Sequence, residues 1–196
     1  MNSKQYLDRL LLRYAGTFNI YKPYSAAGKM IDAYGYFYNH LEKYVLVRDA
    51  NLWSSDSFEH VFYITGEKIN LDTVKQFEKI LVEYMEPELV RKGQKIPDKN
   101  HMYSYLTLVF ISDLTPEPEV LKEIKKFRYE KGYRFNTRGY SQAHMCLVSA
   151  EDGKVYTNYA ARKSKKILTE VYKEVQQNKI GFDELCEKHH IEPFVQ

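Results

Sequence analysis

Residues 133–148 carry the densest set of groups able to do chemistry. Read as a strand, alternate residues face opposite sides. Tyr133, Phe135, Thr137, Gly139, Ser141, Ala143, Met145 and Leu147 are apolar or small, as a core face should be. Arg134, Asn136, Arg138, Tyr140, Gln142 and His144 are polar. Two guanidiniums, two amides, a phenol and an imidazole on one face suit a phosphate, a carboxylate or a base edge. No acidic residue within that face balances Arg134 and Arg138. Arg134, Arg138, Tyr140, Gln142 and His144 are therefore the candidate ligand-binding residues. The competing reading is the solvent side of a half-exposed sheet, and a bulge at Gly139 would break the alternation.

Other chemistries fail on spacing. Ser141 and His144 have the types of a nucleophile and its base, but opposite parity sends them to different sides of a strand. No two histidines stand four apart on a helix, as zinc hydrolases require. Cys186 and His189 offer two ligands where a closed zinc site needs four. No G-x-G-x-x-G, G-x-x-x-x-G-K-[ST] or G-x-S-x-G occurs. No catalytic residue, metal ligand or cofactor is assigned, and the sequence points away from an enzyme.

Composition narrows the partners. Among 196 residues, 29 Lys and Arg face 26 Asp and Glu, a net charge of +3. That is too weak to argue for nucleic acid. Basic clusters at 91–99, 122–131 and 162–166 are offset by acidic stretches at 78–88, 113–119 and 183–192. The expected partner is an unidentified ligand or protein, with nucleic acid less favoured. No run approaches the ~20 apolar residues of a membrane span. Asp8, Arg9 and Arg13 interrupt the first apolar run, so no signal-peptide pattern is present. Two isolated cysteines suit a reducing cytosol, and a cytoplasmic setting is expected. The 18 tyrosines are the compositional anomaly. Tyr34, Tyr36 and Tyr38 share one parity, as do Tyr103 and Tyr105. Half-buried sheet faces covered by amphipathic rings explain that pattern.

The elements that must hold these residues follow from periodicity. Leu7, Leu10, Leu11 and Tyr14 form one stripe of a helix over 3–14, with Ser3 as its cap. Period two then predicts strands over 17–20, 30–38, 44–48 and 59–65, an antiparallel meander. Val74, Phe77, Leu81 and Tyr84 mark a helix from Asn70 to 87–90. A polar loop over 91–101 precedes a strand over 103–112, apolar on both parities and so internal to a sheet. A helix opening at Thr115-Pro116 leads to an extended stretch over 133–149 and an Asp-Gly turn at 151–154. A return strand over 155–157, a helix from Asn158 to 177 and a short helix over 182–189 follow. The two strand–helix–strand units, 59–112 and 103–149, predict parallel pairing. The fold is read as α/β or α+β: one domain over 1–196 with a mixed sheet and helices on its faces. Residues 178–196 are read as a C-terminal helical appendage, and the last two helices as a homo-oligomer interface.

Two resemblances accompany this reading. Gly132-Tyr133-Arg134-Phe135, Arg138-Gly139-Tyr140-Ser141, His144 and Lys154-Val155-Tyr156-Thr157-Asn158 resemble a small bacterial family of unknown function. That resemblance covers most of the chain, implies a bacterial cytoplasmic setting and carries no activity. The order helix, antiparallel meander, helix, strand resembles the core of the PD-(D/E)xK nuclease-like fold. That second resemblance implies an Asp and a Glu-x-Lys on neighbouring strands around Mg²⁺. Pro97-Asp98, Glu123-Ile124-Lys125 and Asp152-Gly153-Lys154 match by letter, but lie in a loop, a helix and a turn. Glu59 begins a strand and has no lysine two residues on. A degenerate metal-dependent nuclease, or a nucleic-acid-binding protein, is the alternative function.

Overall fold

The computed structural model describes residues 1–43 and 53–189. Helix α1 (Ser3–Tyr14) is capped by Asn2, whose side chain accepts from the Gln5 amide while Gln5 answers it, a capping box. The cap is thus one residue before the predicted Ser3. Three short strands follow: β1 (Asn19–Tyr21), β2 (Tyr24–Ala26) and β3 (Lys29–Ile31). Ala27 and Gly28 both have positive φ, as the two-residue β2–β3 turn demands. The long strands β4 (Ala33–Lys43) and β5 (Trp53–Gly66) pair antiparallel. These strands run beyond the expected limits at 38 and 59, because the β4–β5 ladder continues to Lys43 and Trp53. The strand expected over 44–48 lies outside the described residues.

Helix α2 (Leu71–Ile80), capped by Asn70, runs on into a π-helix (Leu81–Val90) containing Pro87. Strand β6 (His101–Ser112) and helix α3 (Pro118–Lys126) follow. Pro118, not Pro116, takes the first helical turn, where a missing N–H costs nothing. Then come β7 (Glu130–Gly132), β8 (Tyr140–Ser149) and β9 (Val155–Thr157). A short 3₁₀ turn (Ala160–Lys163) opens α4 (Ser164–Gln176), and α5 (Phe182–His189) ends the described chain.

The main sheet runs β1-β4-β5-β6-β8-β7, with β9 also on β8. β5, β6 and β8 are parallel and the other pairs antiparallel, so the sheet is mixed. The described residues form one α/β domain. On one face, Phe62, Leu106, Leu108, Phe110, Met145 and Leu147 pack against α2, the π-helix and α3. On the other, Val61, Tyr63, Val109, Ile111, Cys146 and Val148 pack against α1, α4 and α5. Strand β6 is buried on both sides, as its unbroken apolar run requires. Phe182 and Cys186 of α5 belong to this second core. Among the described residues, no helix is long and apolar enough to cross a membrane.

Polar ties hold the layers in register. The Tyr6 hydroxyl donates to the Leu168 carbonyl at 2.6 Å, and Arg9 and Arg13 of α1 both pair with Glu174 of α4. Asn158 fills the gap between β7 and β9 on the edge of β8. Its Oδ1 accepts from Met145 and Ala161, and its Nδ2 donates to Phe127 and Ala143 carbonyls, all within 3.2 Å. Asn158→Ala orphans these buried backbone groups. It is expected to lower unfolding free energy by about 2 kcal/mol, which urea titration followed by circular dichroism would measure.

Candidate functional site

The α1-side face of the sheet is covered only over its upper half. Helix α1 ends at Tyr14, whose ring meets Phe18 edge-on at 4.8 Å and Tyr63 at 6.3 Å. Below that point the alternation of the strands brings a different set of side chains to the same face. Register sets Phe37 opposite Glu59, Glu59 opposite Tyr105, and Tyr105 opposite Gln142. One row higher, Thr107 stands opposite His144; one row lower, Tyr103 stands opposite Tyr140. Thr107 is buried, while Phe37, Glu59, Tyr103, Tyr105, Tyr140, Gln142 and His144 are half-buried.

The rings stand beside one another as a ladder. Tyr105 stacks on His144 at 4.4 Å, Tyr103 lies 4.8 Å from Tyr105, and Tyr140 lies 6.1 Å from Tyr103. Ring faces are largely spent on each other, so the ladder presents edges and hydroxyls outward. Burial pushes the Tyr105 phenol up to about 12, with Tyr140 adding through a hydrogen bond. Burial lowers the His144 imidazole to about 4, so the ring is neutral at pH 7. Its Nε2 lies 3.4 Å from Gln142 Oε1, and Gln142 Nε2 donates to Glu130 at 3.1 Å. Thr107 donates its hydroxyl to Glu59 Oε1 at 2.7 Å. Burial raises the Glu59 carboxyl, against that hydrogen bond. Beside Gln142, a cavity of about 390 Å³ opens between the Phe127–Glu130 segment and Asn158–Ala160.

Of the residues singled out in the sequence, the fold brings Tyr140, Gln142 and His144 together on this face. Arg134 and Arg138 do not join them on the strand, which begins at Tyr140 rather than Tyr133. Residues 133–139 form the loop of the β7–β8 hairpin. Arg134, Phe135 and Asn136 all have positive φ, and Gly139 N–H donates to the Asn136 carbonyl. Gly139 itself, at φ +73°, has no room for a Cβ, which would fall 2.1 Å from the Met102 carbonyl oxygen. A left-handed turn closed by an obligatory glycine cannot be a strand. Arg134 is exposed at the loop, and Phe135 at its tip is fully exposed. Arg138 is half-buried, and its carbonyl lies 3.0 Å from His101 Nδ1.

Tyr103, Tyr105, Thr107 and Glu59 complete the face and were not among the sequence candidates. The Tyr103-x-Tyr105-x-Thr107 alternation inside an apolar strand is the signal that points to three of them.

A family model described as Domain of unknown function (DUF8052) matches residues 2–170. The chain belongs to this family. The DUF8052 match runs from the cap of α1 into α4, so it contains the whole sheet and every residue of the open face; α5 lies beyond it. No curated protein matches the chain, and no solved structure matches it.

The carboxylates considered for a nuclease centre lie apart. Asp98 pairs with Lys92, Glu123 with Lys75 and Lys126, and Asp152 with Lys154. Among the described residues, no group of three or more His, Cys, Asp or Glu side chains is placed to hold a metal ion.

Proposed function

We propose that this DUF8052 chain is a non-catalytic ligand-binding domain whose recognition surface is the open lower half of the α1-side sheet face. The observation that carries the reading is the half-buried ladder of Tyr103, Tyr105, Tyr140 and His144 in the middle of the sheet. Side chains at the centre of a sheet are ordinarily covered by the next layer, and rings left partly open there favour a ligand surface. Gln142 extends the ladder toward the neighbouring cavity, which supplies depth. Arg134 and Arg138 rim this surface from the β7–β8 loop, where they would meet a ligand after the rings do. The cytosol is the setting that its two free, buried cysteines support.

The test is a ligand-observed NMR screen of an aromatic and heterocyclic fragment set against the full chain. Tyr140→Ala combined with His144→Ala is expected to abolish binding of most hits, because stacked or edge contacts are worth about 1 kcal/mol each. Hits whose binding survives the double substitution undiminished would overturn the assignment. Thermal melts check that the double variant stays folded.

A further inference from the structure

We infer that Glu59 and the rings around it form a subsite for the methylated ammonium group of a small organic cation. This deepens the proposed function and rests on its assignment of the open face as the binding surface.

Glu59 stands out by what it lacks. Glu86 is paired with Arg91 and Lys131, Glu123 with Lys75 and Lys126, and Glu174 with Arg9 and Arg13. Glu59 is set in the middle of the sheet, and among the described residues no Lys, Arg or His pairs with it. Among the described residues its one hydrogen-bond donor is the Thr107 hydroxyl. A carboxylate taken partly out of water without a counter-ion is a standing electrostatic deficit. A cationic ligand removes it.

The neighbours decide what kind of cation. Phe37 and Tyr105 flank Glu59 across the adjacent strands. Phe18 leans on Phe37 at 5.3 Å. Tyr14 and Tyr63 stand close enough for the Glu59 charge to help raise their phenols, after burial as the main cause. Tyr105 spends its faces within the ladder and adds an apolar wall, so the attraction of a negative ring face for a cation of low charge density falls to Phe37, outside the ladder. Mg²⁺ or Ca²⁺ needs several oxygen ligands, and the site offers one carboxylate. A primary ammonium has three donors to satisfy, and again meets one carboxylate. A methylated ammonium needs no hydrogen-bond acceptors; it needs apolar walls and one compensating charge. An anionic ligand would be repelled by Glu59. The neutral His144 nearby adds no competing positive charge.

The test titrates the full chain with choline and with 3,3-dimethylbutan-1-ol, its uncharged isostere, by calorimetry and by ¹H–¹⁵N NMR. Choline is expected to shift the Thr107 and Tyr105 resonances and to bind about tenfold more tightly than the isostere. Glu59→Gln keeps the shape and an acceptor for Thr107, so the fold should persist, as a thermal melt verifies. It should remove the preference for choline and leave the isostere unchanged. Equal binding of choline and isostere, or choline affinity unaltered in Glu59→Gln, overturns the ammonium assignment. Fragment hits that still depend on Tyr140 and His144 would then leave the binding surface standing, whereas a face untouched by every probe removes both readings.

Discussion

Glu86→Ala is expected to destabilise the domain by about 3–5 kcal/mol, the cost of breaking a buried charge network. Glu86 is 1% exposed, on the face of the sheet opposite the open surface. Arg91 donates to it through Nε at 2.6 Å and through a second nitrogen at 3.1 Å. Lys131 donates at 2.9 Å and the Tyr133 hydroxyl at 2.8 Å. Burial raises the Glu86 carboxyl, but the Arg91, Lys131 and Tyr133 hydrogen bonds outweigh it and hold the group below its ordinary range. Removing the carboxylate leaves the Arg91 guanidinium, itself only 17% exposed, without its counter-charge. The Tyr133 hydroxyl keeps only Ser141, 2.7 Å away. Tyr133 also anchors the start of the β7–β8 loop, so loosening it frees the segment that carries Arg134 and Arg138. Urea unfolding followed by circular dichroism reads the loss. A second variant, Glu86→Leu with Arg91→Met, removes both charges and is expected to recover much of the stability. A loss under about 1 kcal/mol in Glu86→Ala would place the pair among ordinary surface ion pairs.

The same network explains where the sequence was legible and where it was not. Strand β6 was readable because its apolar residues fall on both parities, and only a strand between two others buries both faces. The helices were readable because Leu7, Leu10 and Leu11, or Val74 and Phe77, repeat at helical spacing. The start of β8 was not readable by alternation. Residues 133–139 continue the alternating pattern, but Gly132, Asn136 and Gly139 are turn residues, and the left-handed φ values of residues 134–136 depend on closure of the hairpin. Tyr133 does point into the core, so the alternation succeeded there for a different reason: its hydroxyl serves Glu86, 47 positions earlier. Glu59 was invisible for a related cause. A single glutamate at the start of a strand reads as an exposed end until register sets it between Phe37 and Tyr105, with no cation paired to it among the described residues. Local spacing can place a residue on a face; which charges meet across strands is a long-range fact.

Tyrosine clustering leads to a second large effect, a histidine-driven loss of stability in mild acid. Tyr34 and Tyr36 line the face opposite the open surface, and His60 lies among them. The Tyr34 hydroxyl is 2.7 Å from His60 Nδ1, and the two rings stack at 6.1 Å. His60 is 4% exposed. Burial, with a smaller push from His101, lowers its pKa from 6.5 to about 3. The unfolded chain therefore takes up this proton near pH 6.5, while the native state refuses it until about pH 3. Stability is full above pH 6.5 and falls through the interval below, by at most about 1.4 kcal/mol per pH unit for this one group. His144, lowered to about 4, and His101 act in the same direction. Glu59, Glu78 and Asp8, whose carboxyls are raised, act against them. The wild-type curve alone therefore cannot isolate His60, but the difference from His60→Leu can, because the other groups cancel between the two proteins. His60→Leu carries a fixed penalty for the partner lost to Tyr34, the same at every pH. Between pH 7.5 and pH 4.5, the stability difference is expected to move by about 2–3 kcal/mol in favour of the variant. Urea midpoints at the two pH values measure it. A difference that stays constant within about 0.5 kcal/mol would mean that His60 takes its proton in the folded protein as readily as in the unfolded chain.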